Sequence, residues 1–312
     1  MNLNKILITG GSGMIGKNLI EKLKKYQFKY EAPNSRDLNL LDYSQTIELL
    51  KKNKFDIVIH LAALVGGIHA NVKNQYKFLI NNLEINKNII LASKEAGIKK
   101  FINVSSTCVY PRNFIKPISE TDLLSGKLEE TNEGYALSKI VAMKLCEYIS
   151  NNDNDFFYKT LIPCNMYGRY DNFDPENSHL IAGIIYKIHF AKKNNQKKVL
   201  IWSNGNVKRE FLYAGDFADA IIKSLHDFEN LPMKINIGVG KDYSIKEYYE
   251  IVKEIIGWDG EWDFDLSKPE GMQRKLSNTS LQKRWGWEPK IDIYTGITKT
   301  YEYYKQSINK KN

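Results

Sequence analysis

Residues 5–16 read Lys5-Ile6-Leu7-Ile8-Thr9-Gly10-Gly11-Ser12-Gly13-Met14-Ile15-Gly16: a short apolar run, then glycines at positions 10, 13 and 16. The run has the length and branching of a buried strand, and the stretch Met14 to Lys25 behind it has the spacing of an amphipathic helix. In that setting each glycine has a use. Gly10 permits a tight turn, Gly13 lets the backbone approach a pyrophosphate, and Gly16 lets the helix pack closely on the strand. Met14 and Ile15 open the helix, whose first amides and partial positive charge face the phosphates. Placed between a first strand and a first helix, the triplet predicts a dinucleotide site.

The same alternation continues outward. Phe28 to Glu31, Asp56 to Leu61, Lys100 to Val104 and Tyr158 to Ile162 read as strands, and Tyr43 to Asn53, Asn71 to Ala96 and Glu133 to Asn151 as helices. The first of these helices opens on Asp42-x-x-Gln45, a capping-box pattern. Strands separated by helices pair in parallel through right-handed crossovers, so the prediction is an α/β fold, a Rossmann doubly wound parallel sheet.

After about Pro163 the pattern becomes turn-rich, then gives a helix at Leu180 to Lys193 and a strand at Lys198 to Trp202. The chain is expected to rejoin the main sheet around Phe211 to Ile237 and to leave it again for a helix opened by Ser244-x-x-Glu247. The expected division is a cofactor domain over 1–165, rejoined by about 211–240, and a smaller, mostly C-terminal substrate lobe over 166–210 and 241–312. The polar end from Ser307 to Asn312 is expected to fray.

The chain has 312 residues, 43% of them hydrophobic and 26% charged, which is ordinary globular composition. A net charge of +9 raises nucleic acid as a partner, but no arginine-rich arm, zinc-ligand spacing or recognition helix accompanies it. The stretch Leu180 to Arg209 holds Lys187, Lys192, Lys193, Lys197, Lys198, Lys208 and Arg209 without an acid, and reads either as a solvated face or as anion-binding. Three scattered cysteines, Cys108, Cys146 and Cys164, make no disulfide framework. With no signal-peptide pattern and no run long enough to span a bilayer, the expectation is a cytoplasmic protein without a membrane partner. No metal site is expected, since no ligand cluster has zinc-like spacing.

The region after the second strand reads Asn34-Ser35-Arg36-Asp37. Arg36 offers a permanently charged fork suited to the 2'-phosphate of NADP, while Asp37 beside it keeps NAD open. Farther on, Tyr135 and Lys139 lie four apart on one helix face, where an ammonium would favour phenolate and make proton transfer easier. Tyr249/Lys253 and Tyr301/Lys305 share the spacing and read as solvated helix faces. Only Tyr135 follows a strand ending in Ser105-Ser106, where a serine hydroxyl can align a carbonyl. His60 reads as a strand-end structural or cofactor-pocket residue, and His179 on its own as a helix cap.

The segments Arg36 to Asp42, His60 to Gly67, Ser105 to Pro111, Thr131 to Lys139, Tyr167 to His179 and Trp202 to Leu212 together resemble the extended short-chain dehydrogenase/reductases. Within that family they are similar to the GDP-L-fucose synthase group, the GDP-4-keto-6-deoxymannose 3,5-epimerase-4-reductases. The resemblance implies Ser106, Tyr135 and Lys139 as a reductase triad and Cys108 with His179 as the acid/base pair for C3 and C5. It implies NADP(H) as cofactor, held by Gly10, Gly13, Met14, Ile15, Gly16, Arg36, Asp42, Ala62 and Lys139. A GDP-linked 4-keto sugar is the implied substrate, contacted by Asn165, Lys187, Trp202 and Arg209, and a homodimer the implied assembly. Thr107, Cys164 and the run Tyr213-Ala214-Gly215-Asp216 depart from the group's usual residues and leave the sugar open. The competing expectations are a C4 reductase alone, acting on a related GDP-4-keto sugar such as a 6-deoxyheptose, and a non-catalytic NADP(H)-binding sensor.

Overall fold

In the computed structural model of the chain, residues 5–114, 116–267 and 272–309 are described, the side chains of 68–70 excepted. The first half runs β1 (Ile6–Thr9), α1 (Met14–Lys25), β2 (Tyr30–Glu31), α2 (Tyr43–Asn53), β3 (Ile57–His60), α3 (Ile68–Lys73), α4 (Gln75–Glu95), β4 (Lys100–Val104), α5 (Glu133–Asn152) and β5 (Phe157–Pro163). There follow β6 (Asn165–Tyr167), α6 (Leu180–Lys193), β7 (Lys198–Trp202), β8 (Lys208–Arg209), β9 (Phe211–Tyr213), α7 (Ala214–His226) and β10 (Lys234–Ile237). The chain ends with β11 (Tyr243–Ser244), α8 (Ile245–Ile256), β12 (Glu261–Asp265), β13 (Arg274–Lys275), α9 (Ser280–Arg284) and α10 (Ile293–Asn309).

Six strands form one parallel sheet in the order β10-β5-β4-β3-β1-β2. Its strands are apolar on both faces, as a sheet covered on both sides requires. One face packs α1, α7, Trp285 and Trp287 against Ile6, Ile8, Ile57 and Ile59, and the other packs α2, α4 and α5 against Leu7, Val58 and Phe101. A separate cluster joins α6, α8 and α10 around Ile185, Ile188, Tyr248, Val252 and Tyr304. The parallel pair β7–β12 lies beside it.

Local chemistry explains the boundaries. Asp42 caps α2 by accepting from the Gln45 amide at 3.0 Å, whereas Ser244 and Glu247 complete a full capping box on α8. The expected single helix over Asn71 to Ala96 is two helices, because Asn74 sits outside helical geometry at φ −134° and ψ 34°. The expected strand from Phe28 shortens to Tyr30–Glu31. Phe211–Tyr213 does not rejoin the main sheet; it pairs with β6, and only β10 rejoins. Ser307 to Asn309 form the last residues of α10, while 310–312 lie outside the described residues.

Lys159 of β5 is buried, and its ammonium donates to the carbonyls of Phe228 (2.6 Å), Glu229 (3.2 Å) and Leu231 (2.6 Å). It thereby fastens the turn behind α7 to the sheet. Burial lowers its affinity for a proton, and the carbonyls are what hold the charge there. Replacing Lys159 with Met keeps the stem but strands three acceptors. The expected loss is about 2–3 kcal/mol of unfolding free energy, read from urea denaturation.

Candidate active site

The cofactor loop follows β1. Gly10 has φ +73°, and a Cβ there would lie 2.7 Å from the Ala62 backbone nitrogen. A Cβ on Gly16 would stand 2.5 Å from the Gly11 Cα, so α1 closes on the turn only without a side chain. Gly13 differs. A Cβ there would meet nothing of the protein nearer than the Gly10 carbonyl oxygen at 3.5 Å, and so would project into open space over the helix start. Gly13 brings no side-chain cap and the first turn holds no acid, which leaves the amides behind Met14 and Ile15 for an external acceptor. The contact of Gly10 with Ala62 joins the ends of β1 and β3, where the strand order reverses and open α/β sheets bind ligands.

Beyond β2, the Asn34 side chain organises the turn, accepting from the Arg36 amide at 2.8 Å and donating to the Asp37 carboxylate at 2.5 Å. Asp37 is thereby engaged, while the Arg36 side chain is exposed with no partner among the described residues. This arrangement fits a 2'-phosphate better than a bare ribose. Asp42, a cofactor candidate by resemblance, directs its carboxylate to the α2 cap instead.

The candidate proton-transfer residues Ser106, Cys108, Tyr135 and Lys139 gather at the end of β4. Ser106 begins a 3-10 turn over Thr107–Val109, and its hydroxyl accepts from the Cys108 amide at 3.4 Å. On α5, Tyr135 is half-buried and Lys139 buried; the Lys139 amine donates to the Val104 carbonyl at 3.0 Å and lies 5.9 Å from the Tyr135 ring centre. Burial lifts the Tyr135 phenol well above the usual tyrosine range and Cys108 adds to the lift, so the proton stays on oxygen. Burial likewise lowers Lys139, to about 8.

Cys108 is buried in the same turn. Burial raises its thiol, with the Lys275 ammonium, Ser106 and Lys139 pulling the other way. All three cysteines are free and buried. His179 stands at the N-cap of α6, yet its ring makes no cap bond. It faces Asp171 instead, Nδ1 to Oδ1 at 3.4 Å, and that hydrogen bond raises its affinity for a proton. A Cβ on Gly67 would lie 3.6 Å from the Ser178 carbonyl, so the start of α6 stands beside the loop behind β3.

Of the acid-free stretch, Lys187 lies 5.7 Å over the Trp202 ring and 3.4 Å from both the Leu200 carbonyl and the Tyr249 hydroxyl. Trp202 is exposed. Arg209 donates to the Met272 carbonyl at 2.6 Å and, through the same nitrogen, to that of Lys208 at 2.8 Å. Lys192 is tied to the Ile256 carbonyl and Lys197 to Asp259. Asn165 joins β6 to β9, its amide donating to the Glu210 carbonyl at 3.1 Å. His60 is fully buried between the Thr9 hydroxyl (2.7 Å) and the Asn86 side-chain oxygen (2.9 Å); burial holds it neutral, at about 3. Tyr249 is no solvated face: it is buried in the second cluster, and Lys253 donates to the Gly260 carbonyl. Among the described residues no three His, Cys, Asp or Glu gather to hold a metal.

A family model described as the NAD dependent epimerase/dehydratase family matches residues 6–238, and the chain belongs to that family. It is 44% identical over 308 residues to GDP-L-colitose synthase of Yersinia pseudotuberculosis, with 99% of each chain covered. It is 45% identical over 300 residues to GDP-L-fucose synthase of Azorhizobium caulinodans, with 96% of each covered. Among solved structures it is similar to MlghC, a GDP-mannoheptose C4 reductase from Campylobacter jejuni with NADP bound: TM-score 0.88, 32% identity, covering 98% of this chain and 99% of that one. The chain is an NADP-dependent enzyme of the epimerase and oxidoreductase kind.

Three residues gained no role from the sequence: Asp171, Glu210 and Lys275. Asp171 lies within the quoted Tyr167 to His179 segment, eight residues before the histidine it meets, but no spacing rule links a loop carboxylate to a helix-start imidazole. Lys139 yields a pH test. Its folded value, about 8, lies below the ordinary 10.5, so the unfolded chain binds more protons between the two and stability from this group rises with pH there. Activity should move oppositely: kcat/KM for ketone reduction falls as pH rises through about 8, where the free enzyme loses the ammonium. Rate profiles and chemical denaturation over the same pH range should show the two trends diverging.

Proposed function

We propose that this enzyme uses NADPH to reduce the C4 ketone of a GDP-linked 4-keto-6-deoxy sugar, after epimerising the neighbouring carbons C3 and C5. The carrying observation is the meeting of Ser106, Cys108, Tyr135 and Lys139 at the end of β4. NADPH, when bound, supplies the hydride. Tyr135 keeps its proton until the C4 oxygen gains negative charge, then donates it. Ser106 aligns that oxygen through its hydroxyl. Lys139, as an ammonium, steadies the phenolate that Tyr135 becomes.

For the epimerisation, the C4 ketone acidifies the hydrogens on both adjacent carbons, so one group to remove a proton and one to return it are enough. Cys108 and His179 are those groups. Trp202 supplies a flat face for the base, and Lys187 and Arg209 supply cations for the diphosphate. Arg36 takes the 2'-phosphate of the cofactor, and the amides behind Gly13 take its pyrophosphate. Relatives named for L-fucose and L-colitose favour the epimerising reading, since an L-sugar drawn from a D-series precursor needs inversion at C5. The name of MlghC, a GDP-mannoheptose C4 reductase, favours the second reading of reduction alone.

The assembly we infer is a homodimer. Tyr76, Ile80 and Leu91 on α4, and Leu137, Val141 and Tyr148 on α5, are exposed, and within each helix their spacing puts them on one face. A second copy would cover them. A reducing, cytoplasmic setting suits three free, buried thiols, and among the described residues no helix is long and apolar enough to cross a membrane.

Two experiments test the chemistry. Tyr135→Phe keeps the ring but not the proton, and is expected to lower ketone reduction on the order of 100-fold while NADPH binding persists; a near-normal rate means another acid serves C4. In deuterium oxide with NADPH and GDP-, UDP- and dTDP-linked 4-keto sugars, the enzyme is expected to accept the GDP substrates and place deuterium at C3, C5 or both. Cys108→Ser should suppress that uptake, because a hydroxyl is a far weaker base than a thiolate. Turnover with no deuterium at either carbon would leave the reductase-only reading.

A further inference from the structure

The Arg169 to His179 loop connects β6 to α6, and its first residues are held by α1. Asn18 of α1 donates to the Arg169 carbonyl at 3.1 Å, and Glu21 takes both the Arg169 guanidinium and the Tyr170 hydroxyl. Lys17 lies 5.4 Å over the Tyr170 ring, and Tyr170 itself adopts φ +70°. This clamp sets the next residue, Asp171. Its side chain is only 3% exposed, yet a single bonded oxygen serves two neighbours: Oδ1 accepts from the Asn172 amide at 2.8 Å and faces His179 Nδ1 at 3.4 Å. Oδ2 is buried with no partner among the described residues.

A buried carboxylate oxygen without a donor is uncommon in native proteins and asks for an explanation. His179 is the neighbour able to give one, since a small rotation of its ring brings Nδ1–H between the two oxygens. The opposite ring nitrogen, Nε2, has no partner among the described residues, and the His179 side chain is 43% exposed. The other acids of the loop do not compete. Asp174 is exposed and accepts the Glu176 and Asn177 amides, and Glu176 is exposed. Among the described residues no cation of the loop or of α6 is paired with Asp171 either: Arg169 is bound to Glu21, and Lys187 points to Leu200 and Tyr249.

We propose that Asp171 is the positioning residue for His179, accepting the Nδ1 proton so that Nε2 is the nitrogen presented to the sugar. The assignment rests on the epimerase reading for its catalytic meaning, but not for its geometry. Held this way, the protonated ring keeps one proton on Nδ1 for the carboxylate and offers the other, on Nε2, to the carbanion left after C–H cleavage at C3 or C5. After delivery His179 is neutral, with Nδ1–H retained, and regains its Nε2 proton from solvent. The clamp on α1 gives the pair a fixed distance from the cofactor loop, because the helix that begins at Gly13 also anchors Arg169 and Tyr170.

Long-range proton–nitrogen NMR correlation of histidine-labelled enzyme, with His179→Gln to assign the signal, reads both the tautomer and the pKa. Wild type is expected to carry the neutral-state proton of His179 on Nδ1. Asp171→Asn keeps the shape and the Asn172 contact, and should lower the His179 pKa by about one unit or more through loss of the opposite charge. The pH profile of deuterium uptake at C3 and C5 should move by the same amount, while reduction of an already epimerised ketone stays within about two-fold, a split that general unfolding would not give. Asp171→Glu, which restores the charge, should return the pKa toward the wild-type value, and serves as the comparison if the Asn variant loses NADPH binding. An unchanged tautomer and pKa in Asp171→Asn, or a Glu variant no closer to wild type than the His179 signal of a charge-free site, overturns the proposal. Absence of deuterium uptake by the wild type would count against the epimerase reading alone, and the NMR comparison would still decide the pairing.

Discussion

The carboxylate of Glu210 holds the walls of the site together. It is buried between β8 and β9, and Oε1 accepts the amides of Val239 (2.6 Å) and Gly240 (2.7 Å) while Oε2 accepts that of Ser277 (2.8 Å). Three segments far apart in sequence therefore meet on one side chain: the strand of Arg209, the exit of β10, and the stretch carrying β13. Its own carbonyl takes the Asn165 amide, which adds β6. Burial raises the Glu210 carboxyl against the pull of its hydrogen bonds, so the folded state holds the proton more tightly than the unfolded chain and stability falls as pH rises through the folded value. What the carboxylate supplies is geometry, since no apolar residue can accept three amides.

That geometry places a basic strand pair at the site. In the parallel pairing of β8 with β13, Lys275 stands opposite Arg209. Arg274 is drawn away by a bidentate pair with Asp242 at 2.6 and 3.2 Å. Alternation along the strand then sends Lys275 to the other face, the side on which its charge acts on Cys108 and Arg209. Burial raises the Cys108 thiol, and the C-terminal part of the chain, through Lys275, pulls against that rise, although the cysteine's position is set by β4.

What the sequence made legible follows from how local each constraint is. The glycine loop, the α1 and α5 starts and the Ser244 cap are decided within a few residues, and the turn at Gly10 needs only its own missing side chain. The break at Asn74 was not legible, because neither proline nor glycine marks it. Nor was the partner of Phe211–Tyr213, since an apolar strand does not say which sheet receives it. Arg36 was legible as a candidate for the 2'-phosphate, but that Asn34 would occupy Asp37 was not. How firmly Tyr135 holds its proton was not legible for a related reason: four-residue spacing gives proximity to Lys139, whereas the proton's energy depends on how deeply the whole site buries both groups.

Burial also links the two proposed chemistries. Cys108 acts on both Tyr135 and Lys139, raising the phenol's hold on its proton and supporting the ammonium against desolvation. When Cys108 is a thiolate, before it takes a C3 or C5 proton, Tyr135 is at its least able to ionise and Lys139 at its most fully charged. In the proposed sequence epimerisation must precede reduction, because C3 and C5 are acidic only while the C4 carbonyl stands and hydride transfer removes it.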